Sequence, residues 1–288
     1  MNSDRLIGVC LLLVALTALG GLALITTFIF MEGVPLIWQV GLKDFLLSST
    51  WEPEDGRFGV LAMLAGSLAV TAGAIVIGVV FGLGCAIMLT QFCPRRVVSV
   101  MKPSIELLAG IPSVVYGFMG MVVLVPFIRE HLGGSGSGFS VLAASIVLGI
   151  MVLPTVTSIS VDALQAVPRA YREGSIALGA TQWQTTRMVL LRAAGSGLVA
   201  AFILGLGRAV GETMAVIMVA GNAIQVPASP LDSVRTLTSN IALEMSYAAG
   251  AHRQALFATG VTLFVIIMIL NVVALWISRR GARAGGRR

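Results

Sequence analysis

The chain has 288 residues, 57% of them hydrophobic and 11% charged, where a soluble domain carries about 25% charged residues. That deficit excludes an ordinary water-facing surface and points to a protein surrounded by lipid. The formal net charge of +6 does not point to nucleic acid, because of how the charge is distributed along the chain.

Each bilayer crossing needs roughly 20 apolar residues, and the charge-poor runs supply six. In chain order the expected spanning helices are 6–31, 60–89, 105–128, 139–161, 193–220 and 254–278. Helices are expected because lipid offers no partners for unpaired backbone groups, and these solid runs lack the alternation of membrane-barrel strands. The fold class is an all-α membrane protein with six transmembrane helices, a single transmembrane domain over 1–288. The first run is too long for the core of a secretory signal and ends without an A-x-A cleavage site, so it is expected to be a retained anchor.

Between the runs, residues 32–57 carry Trp38, Phe45 and Trp51 beside Lys43, Asp44, Glu52, Glu54 and Asp55, a mixture suited to the bilayer interface. Residues 133–138 read Gly-Gly-Ser-Gly-Ser-Gly, a flexible connector. The second run carries Gly78, Gly82 and Gly84 and the fifth Gly207 and Gly211. Small residues at this spacing allow close helix approach, either within the chain or against a partner. Residues 221–253 contain Pro227 and Pro230 and then a stretch able to form a helix, and 279–288 read as a disordered basic tail beside anionic lipid.

With the amino terminus taken as cytoplasmic, thirteen Lys and Arg fall inside and five outside, Arg208 in the fifth run being the remaining one of 19. This positive-inside asymmetry puts both termini in the cytoplasm. Cys10, Cys85 and Cys93 form no C-x-x-C, so neither a disulfide framework nor a metal site is expected. His131 and His252 sit in separate outer segments and read as surface polarity.

The inner segment 162–192 is more specific. Pro168 is placed to start a helix, Gly179 to end it, and Thr181 to cap a second. A short helix across the cytoplasmic face is a shape that another protein can grip. Glu173-Gly174-Ser175, three residues and Gly179 resemble the E-A-A-x-x-x-G loop of ABC importer permeases. Gly174 and Ser175 replace both alanines, and Arg192 stands after Val189 and Leu191 where the family has proline. The resemblance implies that this loop docks in a cleft of a nucleotide-binding subunit and transmits its motion. The chain itself has no G-x-x-x-x-G-K-[ST], and its lysines are Lys43 and Lys102, so no nucleotide site is expected here. ATP and magnesium then belong to a separate ATPase, and the chain is not an enzyme.

Arg208 lies about 22 Å into the fifth helix from Ala193 at 1.5 Å per residue, at a cost of about 2.5–3.5 kcal/mol. Glu212 is expected one turn on, on the same face. In one reading the guanidinium fork draws an anion along the path and Glu212 keeps it from becoming a trap. In the other the two residues serve helix-to-helix ion pairing. Thr213 adjoins them. Pro112 frees a carbonyl and kinks the third helix, and Ser113 either lines a path or satisfies that carbonyl.

Gly207-Arg208-Ala209-Val210-Gly211-Glu212-Thr213-Met214-Ala215 closely resembles a segment of phosphate-specific ABC permeases. Residues 109–118, Ala-Gly-Ile-Pro-Ser-Val-Val-Tyr-Gly-Phe, and 233–242, Ser-Val-Arg-Thr-Leu-Thr-Ser-Asn-Ile-Ala, are similar to the same family. The resemblance covers nearly the whole chain and is nearer the PstC type than its PstA-type partner. It implies inorganic phosphate as cargo, a second homologous permease of PstA type, a periplasmic phosphate-binding protein, an ATPase dimer at the cytoplasmic face, and a place in the bacterial inner membrane. The alternatives are a permease for another oxyanion, such as sulfate or molybdate, and an ion-coupled secondary transporter, which the E-A-A-like loop disfavours. An intramembrane enzyme lacks a nucleophile with a base, or paired acids, inside the runs.

Overall fold

The computed structural model describes residues 3–132 and 136–285. The first helix does not stop near residue 31 but continues as α1 (Ser3–Val40) through Glu32 and Pro35. α2 (Leu42–Leu47) follows, then a hairpin of β1 (Trp51–Glu52) antiparallel to β2 (Arg57–Phe58), with Trp51 opposite Phe58. The segment expected at the interface is therefore a folded cap. Phe45, Trp51 and Phe58 are buried, while Trp38 is 82% exposed. The three buried rings form a small core with Leu36, Leu237 and Leu256, because their apolar area is worth more packed than laid on a headgroup surface.

α3 (Leu61–Ile87) ends in a π-helical turn over Met88–Phe92. α4 (Arg95–Gly110) is separate from the next span, and the chain breaks at Ile111 and Pro112 before α5 (Ser113–Met119), a π-helical turn over Gly120–Leu124, and α6 (Val125–His131). The helix expected over 105–128 is thus divided. Pro112 lacks an N–H and pushes Ile111 to extended backbone, φ −68° and ψ 129°. The apolar span is Ser113–His131. α7 (Val141–Gln165) starts at Ser140, whose side chain accepts from the Ala143 N–H, and it is the most enclosed span.

α8 (Arg169–Ala177), α9 (Gln182–Thr185), a π-helical turn over Thr186–Leu190 and α10 (Leu191–Ala193) lead into α11 (Gly195–Gly211). The limbs Gln182–Ala193 and Gly195–Gly211 meet at 73°. α12 (Met214–Val219), α13 (Leu237–Glu244) and α14 (Gly250–Gly285) complete the chain. The helix expected over 193–220 is therefore broken after Gly211. Among the described residues five helices are long and apolar enough to cross a membrane, or six if the bent pair is one span. α14 takes in most of the basic segment expected to be disordered; 286–288 lie outside the described residues, as do 133–135 of the Gly/Ser connector.

α1 and α14 run antiparallel. Gly33 meets Phe257 and Ala258, and the Phe30 and Phe264 rings lie 5.7 Å apart. The start of α1 and the end of α14 therefore lie at one end of the bundle, here the basic end, which also holds α8 and α9. α3 and α7 pack through glycine. A Cβ added at Gly78 would meet Val152 Cγ1 at 3.0 Å, and one at Gly82 would meet Val156 Cβ at 3.0 Å. Gly78 and Gly82 of the second run thus serve packing within this chain, while Gly84 meets nothing. Gly207 and Gly211 face open space instead. A central apolar cluster includes Val70, Leu148, Val152 and Val216; another, at the basic end, includes Leu89, Ile105, Leu164 and Leu190.

Candidate functional site

Arg208 occupies the last turn of α11, about 20 Å along the axis from Gly195. Its side chain is exposed in this chain and has no hydrogen-bond or ion-pair partner among the described residues. Glu212 is not on the face of α11. Its backbone is extended, φ −70° and ψ 132°, so the expected pair one turn apart does not form. The physical reason is the demand made by the start of α12. Gly211 ends α11, and the Glu212 carboxylate accepts the Ala215 N–H at 3.2 Å, filling a free donor in the first turn of α12. The Glu212 carbonyl accepts from Thr238 Oγ1 at 3.0 Å. Thr213 Oγ1 donates to the Gly211 carbonyl at 3.3 Å. Between α3, α11 and α13, a void of about 10 Å³ reaches Glu212 and is lined in part by Ser67, Thr71, Thr236 and Thr238.

The second break mirrors the first. Ser113 opens α5, is half-buried, and makes no side-chain hydrogen bond among the described residues, so it does not satisfy a freed carbonyl. Tyr116 takes that role, donating to the Leu108 carbonyl at 2.8 Å across the Pro112 break. The sequence signal for Tyr116 was an aromatic hydroxyl one turn beyond an intramembrane proline. α5 and α12 pack in parallel. A Cβ on Gly117 would come 2.8 Å from Ala215 Cα, and one on Gly120 2.9 Å from Val219 Cγ1. The breaks before the two helices therefore lie side by side, bringing Ser113 to the level of Glu212 and Thr213. Discontinuous helices of this kind line the substrate sites of many transporters.

A polar network sits at the end opposite the basic one, on residues that sequence reasoning missed. The Glu244 carboxylate is 7% exposed as a residue and accepts from three donors: Arg235 Nη1 at 2.6 Å, Trp51 Nε1 at 2.8 Å and His252 Nε2 at 2.8 Å. His252 is thus a half-buried partner of Glu244 rather than a solvated surface group, whereas His131 is exposed and stacks on Phe127 at 4.5 Å. Arg235 also donates to the Asn222 carbonyl and to Asn240 Oδ1, both at 3.1 Å. The network ties the hairpin, the 221–236 loop, α13 and α14 together. Trp51 lies 193 residues from Glu244, so no local pattern would reveal the network.

At the basic end, α8 exposes Glu173 and Gly174, and Ser175 Oγ lies 3.0 Å from Thr185 Oγ1 of α9. Gly179 has φ +82°, a left-handed conformation that favours glycine, and turns the chain between α8 and α9. Thr181 and Gln184 form a capping box at α9. The Gln182 side-chain amide donates to the Gln91 carbonyl, fastening α9 to the end of α3. Tyr171, Ile176, Leu178 and Trp183 are exposed around this hairpin, Leu178 by 90%. Bare apolar groups of this kind mark a contact with protein or membrane. No three His, Cys, Asp or Glu cluster as a metal site among the described residues.

Residues 78–283 match the family described as the binding-protein-dependent transport system inner membrane component. The chain is 43% identical over 272 residues to a probable ABC transporter permease, YqgH, of Bacillus subtilis, covering 92% of this chain and 88% of that one. It is 37% identical over 262 residues to the phosphate transport system permease PstC of Mesorhizobium japonicum, covering 84% and 80%. Among solved structures, the MetNI methionine ABC transporter matches with TM-score 0.55 and 25% identity, over 77% of this chain and 94% of that one. A bacterial alginate ABC transporter matches with TM-score 0.62 and 14% identity, over 93% and 95%, a likeness of fold alone. On this sequence match and this fold, the chain belongs to the inner membrane components of binding-protein-dependent ABC importers, a multi-pass membrane subunit.

Proposed function

We propose that this chain is the PstC-type permease subunit of a phosphate importer in a bacterial inner membrane, with its basic end in the cytoplasm. The observation that carries the reading is Arg208. An intramembrane guanidinium without a partner is costly unless a water-filled path or a ligand faces it, and its planar fork matches phosphate oxygens. The open face of Leu204, Gly207, Arg208 and Gly211 suits a second homologous permease of PstA type, so that the path runs between the two subunits. Ser113 and Thr213 supply hydroxyls at the breaks, and Glu212 holds the start of α12. The exposed α8 hairpin, with Glu173, Gly174, Ser175 and Gly179, suits the cleft of an ATPase dimer that binds ATP and magnesium. A periplasmic phosphate-binding protein delivers cargo at the opposite end, and alternating access is driven by ATP hydrolysis in the partner.

The test is uptake by the complete complex in reconstituted vesicles, with assembly checked in the same sample. Arg208→Gln abolishes or strongly impairs phosphate uptake, and Arg208→Lys restores it only in part, because a point charge replaces the fork. Glu212→Gln keeps an acceptor for the Ala215 N–H, so the double variant is no better than Arg208→Gln. Near-normal uptake by Arg208→Gln refutes the pathway role, and transport of sulfate or molybdate in preference to phosphate refutes the cargo.

A further inference from the structure

One cleft in the described residues is remote from Arg208. It lies at the basic end, has a volume of about 370 Å³, and is walled by the end of α3, the end of α7 and the start of α8. Pockets of this size accept small ligands. Its polar lining consists of Thr90, Gln91, Gln165, Arg169 and Arg172, and no Asp or Glu lines it. Neither arginine side chain has a hydrogen bond or ion pair among the described residues; Glu173, one turn from Arg169, does not pair with it. Arg172 is half-buried and Arg169 exposed. Gln91 Oε1 is buried without a donor, an unmet demand on the wall of the same cleft.

We propose that this cleft binds a phosphate-bearing anion. Two guanidinium groups on one helix turn (i, i+3) share a face and provide paired donors matched to phosphate oxygens. Both orthophosphate and an anionic phospholipid headgroup carry such oxygens. The ligand is therefore either free phosphate from the adjoining solution or an anionic lipid headgroup at the membrane surface. It would bridge α8 to the ends of α3 and α7, across the joint where the Gln182–Gln91 hydrogen bond already fastens α9.

The full-length chain carrying Arg208→Gln, which removes the other candidate phosphate ligand, is placed in nanodiscs of phosphatidylcholine, and radiolabelled orthophosphate binding is measured by equilibrium dialysis. Saturable binding is expected, weakened roughly tenfold or more by Arg169→Gln with Arg172→Gln, since each removes a charge-assisted hydrogen bond. Gln165→Glu gives a second route, placing a carboxylate on the wall without touching either arginine, and is also expected to weaken binding. In parallel, phosphatidylglycerol retained by the chain in detergent is counted by native mass spectrometry. Orthophosphate binding sensitive to both variants assigns the cleft to free phosphate. No such binding, with phosphatidylglycerol retention that the same variants abolish, assigns it to a lipid headgroup. Absence of both ligands, or binding unchanged in every variant, overturns the proposal.

Discussion

Glu244 gives the sharpest energetic test of the fold. Its carboxylate has a side-chain exposure of 9% and takes three donors at 2.6, 2.8 and 2.8 Å. Removing one member of a buried ion pair costs about 3–5 kcal/mol, and an orphaned buried donor costs about 1–3 kcal/mol. These costs overlap rather than add, because Arg235 keeps the Asn222 carbonyl and Asn240 Oδ1. Glu244→Ala is therefore expected to destabilise the chain by about 3–5 kcal/mol. Glu244→Gln keeps the shape and one acceptor and is expected to cost about 1–3 kcal/mol. Trp51→Phe removes one donor while keeping the apolar ring in place. Combined with Glu244→Ala it is expected to cost less than the sum of the two single changes by about 0.5–3 kcal/mol, since both delete the same bond. The measurement is reversible unfolding in mixed detergent micelles, with the folded fraction followed by tryptophan fluorescence and by protease resistance. Stability of Glu244→Ala within about 0.5 kcal/mol of the parent, the range of an ordinary surface change, refutes the network as a fastening.

The two glycine pairs should respond in opposite ways. Gly82→Leu forces bulk onto Val156 and is expected to destabilise the isolated chain by about 1–3 kcal/mol. Gly207→Leu meets nothing in this chain and is expected to leave its folding intact while reducing co-purification with the second permease; the reverse pattern refutes the outward assignment. At the basic end, Glu173→Lys is expected to leave the complex assembled but to disconnect ATP hydrolysis from uptake, and Gly179→Asp to do the same by straining a φ of +82°; normal uptake by both removes α8 as the transmission element. Reporter fusions after Arg57, Gly138 and Arg253 are expected to read outside and those after Lys102 and Arg192 inside, and opposite signals at Arg57 or Lys102 overturn the proposed orientation.

How much was legible depends on the range of the forces. Apolar runs reveal spans because lipid requires a continuous stretch of roughly 20 apolar residues, a property local in sequence, and the helical class with its five or six candidate spans came from that. The α8 turn was legible for the same reason: Pro168, Gly179 and Thr181 act on their own backbone. The E-A-A-like spacing and the segment around Arg208 carried the resemblance to importer permeases. Tertiary structure decided the rest. Whether Glu212 would continue α11 or leave it depended on the start of α12, which needed an acceptor for the Ala215 N–H, and on Thr238, a residue from α13. Whether Gly82 or Gly207 served packing within the chain depended on where α7 lay, since helix propensity treats the two glycines alike. Trp51 and His252 looked like surface groups because each is polar or amphipathic alone. Trp51 became interior and His252 half-buried only when Glu244 approached both to 2.8 Å, and the 193 residues between Trp51 and Glu244 put that meeting beyond any local pattern, because a buried charge is tolerated only where enough donors converge on it.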